Sequence, residues 1–339
     1  MEPNKHQTSK GSFEVNLLRP EDAAGVALLF RAVYGDDYPI KLFYDSAALT
    51  EANKKGDYYT TVARAENGEI IGMHNLFRSA PSPDVYEWGV GLVHKEWRIV
   101  GVSRAIEIFM LEKVIPELGM HTVFGEAVTN HVAMQKHSQE YGFKLAALEV
   151  GLMPGKAYTG EGVTSSRVST AVRFRIYRNI PQTVFLPENY KEAMQFLYTD
   201  FAAGRVFRES VEPIPAGIVS RSQMDFFDFA KVARITFDET GGDFAQRLSD
   251  LEAEAENKGC LVIQVWLKLT TPWIGALVEV LGERGFFLGG ILPQWFDDDG
   301  LLMQKLFFIP DFESMQLLAD SSLRMRELVE ADWRQSCRK

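Results

Sequence analysis

Residues 86–106, YEWGVGLVHKEWRIVGVSRAI, constrain this chain more than any other stretch. An apolar strand runs into a basic, glycine-containing turn, and the turn opens a helix. The first N–H groups of a helix have no partner within it, and the helix dipole adds partial positive charge there. An anion such as a pyrophosphate, placed at this junction, is bound largely by main chain. Arg98, Gly101 and Ser103 form the pattern R-x-x-G-x-S, in which the glycine lets the backbone approach an anion and the arginine adds charge. The competing reading is a plain strand-turn-helix junction, because short glycine motifs also arise by chance.

At 339 residues the chain exceeds one typical core, so two domains of roughly 150 residues are expected. No apolar run reaches the ~18 to 20 residues that cross a bilayer. The polar start MEPNKHQTSKG lacks the apolar centre of a signal peptide. These features predict a cytoplasmic protein with a loose N-terminus and no membrane partner. Two cysteines, Cys260 and Cys337, suggest neither a disulfide framework nor a thiolate metal site, and the six histidines show no metal-ligand spacing. The net charge of −10 is uneven, with 25 acidic and 16 basic side chains in residues 188–339. An acidic surface disfavours nucleic acid and suits a cationic substrate.

Residues 13–18 alternate as a first strand, and Arg19-Pro20-Glu21-Asp22 starts a helix with proline and acidic residues in its first turn. A second helix is expected over Ser46–Lys54. Tyr58–Ala65 and Glu69–Ala80 are strands joined at Asn67-Gly68, a hairpin signal. The strand near Tyr86–Val93, a helix from Val102 to Glu117, a strand over Thr122–Ala127 and a helix over Val132–Tyr141 follow. Gly142-Phe143 opens the next strand, and Arg167–Tyr177 supplies another. After the two-proline segment Asn179–Glu188 a similar plan recurs: strand Val232–Phe237, helix Asp243–Asn257, strand Cys260–Leu269, helix Pro272–Arg284, then Gly285-Phe286 opening two further strands. An unrelated second α/β domain is the competing reading.

The R-x-x-G-x-S loop resembles the acyl-CoA pyrophosphate loop of the GNAT family of N-acetyltransferases, whose pattern is R or Q-x-x-G-x-G or A. Ile99 and Val100 depart from it, since glycine followed by a polar residue is common there. The order β-α-α-β-β-β-α-β-α-β is also what that family's fold requires. The resemblance implies an α/β (α+β) acyl-CoA N-acyltransferase fold, a mixed, mostly antiparallel sheet flanked by helices, duplicated in this chain. Residues 12–178 would form the acyl-CoA-binding domain, 179–188 a linker, and 189–339 a degenerate copy. In that copy the loop is replaced by DETGGD, where Asp238, Glu239 and Asp243 would repel a pyrophosphate.

The resemblance further implies acetyl-CoA as acyl donor and a primary amine of a small molecule or peptide as acceptor. Arg98, Ile99, Val100, Gly101, Val102 and Ser103 would hold the diphosphate, and main chain of Gly91 to Val93 would face the pantetheine. Asn130, in EAVTNHVAMQKHSQEYGF, matches an asparagine that contacts the cofactor. The strand carboxylates Glu87 and Glu126 are the general-base candidates; either could instead lie on a solvated face or pair with an arginine. His131 and Gln135, at i and i+4, could face the cofactor together, or His131 could be a helix-start residue bonded to backbone. A family tyrosine on this helix often serves as general acid. Here that position is Ser138 counting back from Gly142-Phe143, or His137 counting forward from Asn130. Acceptor specificity is expected in Tyr34–Leu42 and Gly151–Ser166, and a homodimer is compatible with the fold. A CoA-binding or interaction protein without turnover is the alternative function.

Overall fold

The computed structural model of the protein describes residues 4–157 and 167–336. They divide into two compact units, Met1–Val123 and Phe124–Lys339. The first opens with a hairpin of β1 (Asn4–Thr8) and β2 (Gly11–Leu17). The loose N-terminus expected from composition is paired from Asn4 onward, because Thr8 Oγ1 donates to Gly11 O at 2.8 Å and accepts from Lys10 N at 3.2 Å, closing the turn. A 3-10 turn at Pro20–Asp22 leads into α1 (Ala23–Tyr34), and α2 (Ser46–Lys55) follows. Asp45 caps α2 by accepting from Ala47 N and Ala48 N, and left-handed Gly56 ends it. Next come β3 (Tyr58–Ala65), β4 (Ile70–Phe77) and β5 (Val85–Val93), with Gly68 at φ 85° in the β3-β4 turn.

β1 to β5 pair in sequence order, all antiparallel. Val26, Leu29 and Phe30 of α1 pack with Leu49 of α2 onto Val62, Ile70, Met73 and Leu92 of the sheet. α3 (Val102–Phe109) continues through a π-helical turn, Met110–Val114, into α4 (Ile115–Glu117). Pro116 lies in that run and has no N–H to donate, so a widened turn before it is the expected accommodation. α3 sits so close to β4 that a Cβ on Gly72 would come within 2.8 Å of Val102 Cγ1 and 3.1 Å of Ile106 Cδ1. The missing side chain therefore fixes where the N-terminus of α3 rests on the sheet.

The second unit contains β6 (Thr122–Val128, starting at the unit boundary), α5 (Ala133–Glu140), β7 (Lys144–Pro154) and β8 (Arg167–Ile176). β9 (Gln182–Leu186), α6 (Lys191–Leu197), β10 (Arg205–Glu209), β11 (Arg221–Phe227), β12 (Val232–Glu239) and α7 (Phe244–Asn257) follow. The chain ends with β13 (Val262–Lys268), α8 (Ile274–Glu283), β14 (Phe287–Leu292), β15 (Gly300–Leu306) and α9 (Asp320–Ser336). The strand order is β6-β8-β7-β14-β15-β13-β12-β11. β12 and β13 run parallel, as a crossover through α7 demands, while β7/β8, β14/β15, β13/β15 and β11/β12 are antiparallel. Along the chain, from β2 to β7, the elements follow β-α-α-β-β-β-α-β-α-β, and the whole is a mixed α/β protein with a mostly antiparallel sheet flanked by helices.

One arrangement occurs twice in this unit. β6-α5-β7-β8 and β13-α8-β14-β15 are each strand, helix and hairpin, with the second hairpin strand inserted beside the first strand. Left-handed Gly142 and Gly285, at φ 80° and 84°, follow α5 and α8. The two copies meet where Gly290 of β14 faces Ala147 of β7, antiparallel. A Cβ at Gly290 would lie 2.4 Å from Ala146 O, so the strands approach this closely only with glycine there. α9 packs over β14 and β7, and its Asp332 accepts from Tyr190 OH at 2.7 Å and Leu288 N at 2.6 Å. The stretch 179–188 carries β9, parallel to β10. It is anchored by Ile180 N to Gln294 Oε1 at 2.8 Å and Gln182 Nε2 to Asp299 Oδ1 at 3.1 Å. Among the described residues no helix is long and apolar enough to cross a membrane.

Candidate functional site

The strand that feeds the glycine turn is not regular. β5 pairs Leu92 with Met73 and Gly89 with Asn75, so Val90 and Gly91 together face His74. This is a β-bulge, and Val90 takes a positive φ of 51°, costly for a β-branched residue. Side chains hold the distortion. Asn75 Nδ2 donates to Val90 O at 3.1 Å, and Asn75 Oδ1 accepts from Thr60 Oγ1 at 2.7 Å. The buried His74 ring stacks on Trp88 with centroids 4.8 Å apart. It fills the space where a Cβ of Gly91 would otherwise lie, 2.2 Å from His74 Cδ2. His74 and Asn75 were not selected from sequence; the signal was Gly89 and Gly91 inside a strand, spaced around a bulge.

Beyond β5, His94 N donates to Ile71 O at 2.8 Å, and Arg98 Nε donates to Val93 O at 3.3 Å, which ties the basic side chain back to the strand end. Ile99 and Gly101 are both left-handed, at φ 60° and 89°. Ile99 is fully exposed, and a Cβ on Gly101 would meet nothing within 4 Å. The first bond of α3 runs from Ala105 N to Gly101 O at 3.0 Å. Among the described residues, the N–H groups of Gly101, Val102, Ser103 and Arg104 have no acceptor. Four unengaged donors, a glycine that leaves the approach open and an exposed arginine make an anion-binding junction. Val102 is buried against β4, Val100 is half-buried, and the exposed Ser103 donates its hydroxyl to Glu107 at 2.8 Å. Glu107, buried one helical turn on, was also not selected from sequence.

Glu87 lies four residues before the bulged Gly91, opposite Phe77, and accepts from Ser79 Oγ at 2.8 Å. Aromatic rings gather near it: Tyr58 stacks on Phe77 at 5.4 Å, Phe43 reaches Tyr58 at 6.0 Å, Tyr38 reaches Phe43 at 6.1 Å, and Tyr34 reaches Tyr38 at 5.0 Å. Burial pushes the Tyr58 hydroxyl above its ordinary pKa, and the Glu87 carboxylate adds to the shift. The Tyr38 hydroxyl is raised in the same way, by burial first and then by Tyr34, Tyr58 and Glu87. Tyr34 and Tyr38, from the stretch Tyr34–Leu42, thus belong to this aromatic group, and Tyr38 and Tyr58 lie in the field of the Glu87 carboxylate. Of the other expected specificity segment, Gly151–Pro154 belongs to β7, and residues 158–166 lie outside the described residues, as does Cys337.

The remaining site residues belong to the second unit. Glu126 on β6 is held by Arg234, 3.2 Å from its Oε1, and the same guanidinium reaches Glu149 at 2.9 Å. Gln264 Nε2 and Thr170 Oγ1 donate to Glu149 at 2.9 and 2.6 Å. The arginine partner considered for Glu126 is therefore present, and Glu126 is part of a largely buried charged cluster. Asn130 and His131 sit half-buried between β6 and α5. Gln135 does not face outward with His131: it is fully buried, and its amide donates to Gln316 O at 2.8 Å, His131 O at 3.3 Å and Val128 O at 3.4 Å. Its role is to fix the loop that carries Asn130 and His131. Ser138 is buried and donates to Gln135 O at 3.0 Å, while the half-buried His137 meets Tyr141 edge-on at 5.0 Å.

The second strand-turn-helix, β12 to α7, is closed. Gly242 N donates to Ile218 O at 3.1 Å and Gly241 N to Ser220 Oγ at 3.0 Å. Asp243 accepts from Ser220 N at 2.7 Å, and those bonds hold its carboxyl below the usual range. A Cβ at Gly241 would lie 1.9 Å from Ile218 O, so chain, not solvent, occupies the approach.

No family model and no curated protein matches the chain. Among solved structures it is similar to an N-acetyltransferase from Staphylococcus aureus Mu50, at 14% identity and a TM-score of 0.40, covering 49% of this chain and 99% of that one. It is also similar to yncA, a putative acetyltransferase from Salmonella typhimurium solved with its cofactor acetyl-CoA, at 15% identity and a TM-score of 0.39, covering 50% and 95%. A putative acetyltransferase from Acinetobacter baylyi ADP1 gives 18% identity and a TM-score of 0.38, covering 52% and 94%. Residue roles in this chain rest on its own geometry.

Proposed function

We propose that this protein is an N-acyltransferase of the GNAT type that takes an acetyl group from acetyl-CoA and gives it to a primary amine. The observation that carries the reading is the junction after β5, where left-handed Gly101 opens α3 with four N–H donors that lack acceptors. These donors, with Arg98, fit a pyrophosphate; the main chain of Gly91 to Val93, with Gly91 exposed at the bulge and Leu92 buried beside it, fits the pantetheine arm. The cofactor supplies an acyl thioester, an electrophile that an amine can attack directly. Glu87 is the base of choice, being half-buried, held by Ser79 and adjacent to the bulge. Glu126 is a weaker choice because Arg234 engages it. Tyr38 and Tyr58, in the field of Glu87, with Tyr34 packed on Tyr38, would receive the acceptor as an ammonium ion before Glu87 removes its proton. Most of the rate enhancement would come from holding both substrates in place.

The recurrence of strand, helix and inserted hairpin in the second unit supports a tandem chain whose later copy does not turn over, its glycine turn being occupied by Ile218 and Ser220. One observation favours a CoA-binding protein without turnover: Ser138, at the helix position expected for a general acid, is buried and bonded to its own helix.

The test is calorimetric titration of acetyl-CoA into wild type, Gly101→Ala and Gly101→Glu. Both substitutions strain a left-handed residue, but only glutamate adds negative charge. Micromolar binding that survives alanine and is lost with glutamate supports the site; no binding to wild type removes it. Acetyl transfer to polyamine or lysine acceptors that falls by at least ~100-fold in Glu87→Gln, with acetyl-CoA affinity unchanged, identifies an enzyme. Binding without transfer identifies the non-catalytic alternative.

A further inference from the structure

Within the second unit, a cavity of about 150 Å³ is lined by Arg173, Lys144, Gln139, Asp200, Ser321 and Ser322, among others. Arg173 is unusual for a strand residue in a protein interior. It lies on β8, opposite Leu145 of β7, and is only 4% exposed. A guanidinium has five N–H donors. Here one nitrogen, Nη2, donates to Phe143 O at 3.0 Å, and Nε has no acceptor among the described residues. No carboxylate lies within 4 Å of it among those residues, although buried arginines are ordinarily paired. Burial pulls the Arg173 pKa down, and the field of Asp200 partly restores it.

Two further features converge on the same cavity. Lys144 stands at its edge, half exposed, with its Nζ 3.6 Å from Asp200. The N-terminus of α9, a helix of 17 residues, supplies Ala319, Ser321 and Ser322 to the lining. Ser322 N and Leu323 N both donate to Ala319 O, at 2.9 and 3.0 Å, whereas the N–H groups of Asp320 and Ser321 have no acceptor among the described residues. The lining thus holds two cations and one carboxylate, and the Asp320 side chain, exposed at the start of α9, is not part of it. A buried cation short of acceptors, a second cation at the mouth and a helix N-terminus all favour negative charge.

We infer that this cavity is a binding site for a small anionic group, a phosphate or a carboxylate, held by Arg173 within, Lys144 at the rim and the N-terminal N–H groups of α9. A space of about 150 Å³ is large enough for an inorganic phosphate or a short carboxylic acid. The inference is independent of the acyltransferase reading, since none of these residues belongs to the glycine loop or to the Glu87 environment.

The probes are inorganic phosphate and acetate, titrated at constant ionic strength and followed by calorimetry and by the rise in melting temperature. The Arg98–Ser103 loop would also attract phosphate, so the full-length protein is measured in a Gly101→Glu background and compared with Gly101→Glu/Lys144→Glu. Lys144 is half exposed, and its exchange alters only a surface ion pair, so the double variant should melt within a few degrees of the single one. Millimolar binding of phosphate or acetate in Gly101→Glu, weakened at least ten-fold by Lys144→Glu, is the expected result. A companion Arg173→Lys variant, which keeps the charge but loses the fork, should weaken binding while leaving the fold in place. Equal affinity with and without Lys144, or an affinity carried only by the Gly101 loop, would overturn the proposal, as would the absence of binding to both probes.

Discussion

Ile99 offers a test in which introducing glycine should stabilise the protein. The residue is left-handed at φ 60° and fully exposed. An L-residue in this conformation costs about 1–2 kcal/mol, and a β-branched side chain lies at the upper end of that range. Exchange for glycine removes the strain but returns roughly 0.5–1 kcal/mol through the freer unfolded chain. The side chain is exposed, so no packing is lost. The balance is a stabilisation of about 0.5–1 kcal/mol. Urea denaturation read by tryptophan fluorescence measures it, with Trp97 two residues away. At a slope of about 1–3 kcal/mol/M the midpoint should rise by roughly 0.2–1 M with the slope unchanged. Ile99→Val retains the strain and should leave the midpoint where it was; Ile99→Asn, which tolerates this conformation, should fall between. A midpoint that drops with glycine, or one that valine raises equally, refutes the assignment of strain to this position.

At the bulge, Gly91→Ala places a Cβ 2.2 Å from the His74 ring, and overpacking of this kind costs about 1–3 kcal/mol. The double variant Gly91→Ala/His74→Ala should cost less than the sum of its parts, and additive losses in the denaturation cycle would show that the ring and the glycine are not in contact. In the second unit, Asp299 and Arg205 form a fully buried two-bond pair at 2.9 and 3.0 Å, with Tyr198 OH on the same carboxylate at 2.8 Å. Asp299→Ala strands the guanidinium and should cost about 3–5 kcal/mol. Asp299→Ala/Arg205→Met should recover much of that in thermal melting, and no recovery would mean that the pair is not the source of the loss.

Much of the local structure was legible because each element declares its own ends. Asn67-Gly68 places the β3-β4 turn, Asp45 and Gly56 bracket α2, and Gly142-Phe143 and Gly285-Phe286 mark where two helices give way to strands. The glycine loop was legible for the same reason, since left-handed backbone and open approach leave a mark in composition. Partners distant in sequence leave no such mark. Nothing near Glu126 announces Arg234, more than a hundred residues away, and nothing near Gln135 announces the carbonyl of Gln316. β1 escaped because its alternation is carried by polar residues, NKHQT, and is fixed by a turn bond from Thr8. The register of β5 was hidden because a bulge flips side chains without altering the apolar pattern.

The two glycine turns show how one backbone plan can be opened or closed by what lies beside it. Both follow an apolar strand and start a helix, and both present glycine where an anion would approach. After β5 the neighbouring space is open, the donors are unengaged and Arg98 adds positive charge to the turn. After β12 the same kinds of donor are spent on Ile218 O and Ser220 Oγ, and Asp243 is kept ionised by Ser220. Displacing residues 218–220 would break three hydrogen bonds and bring a diphosphate against a carboxylate, so two independent terms, one steric and one electrostatic, exclude the ligand. A turn that had merely lost its arginine would still bind phosphate weakly through main chain. One whose glycine N–H groups are filled by its own chain, with a carboxylate beside them, is closed to an anion, and this is why the glycine pair of the second unit fits a structural role while the single glycine at 101 fits the proposed cofactor site.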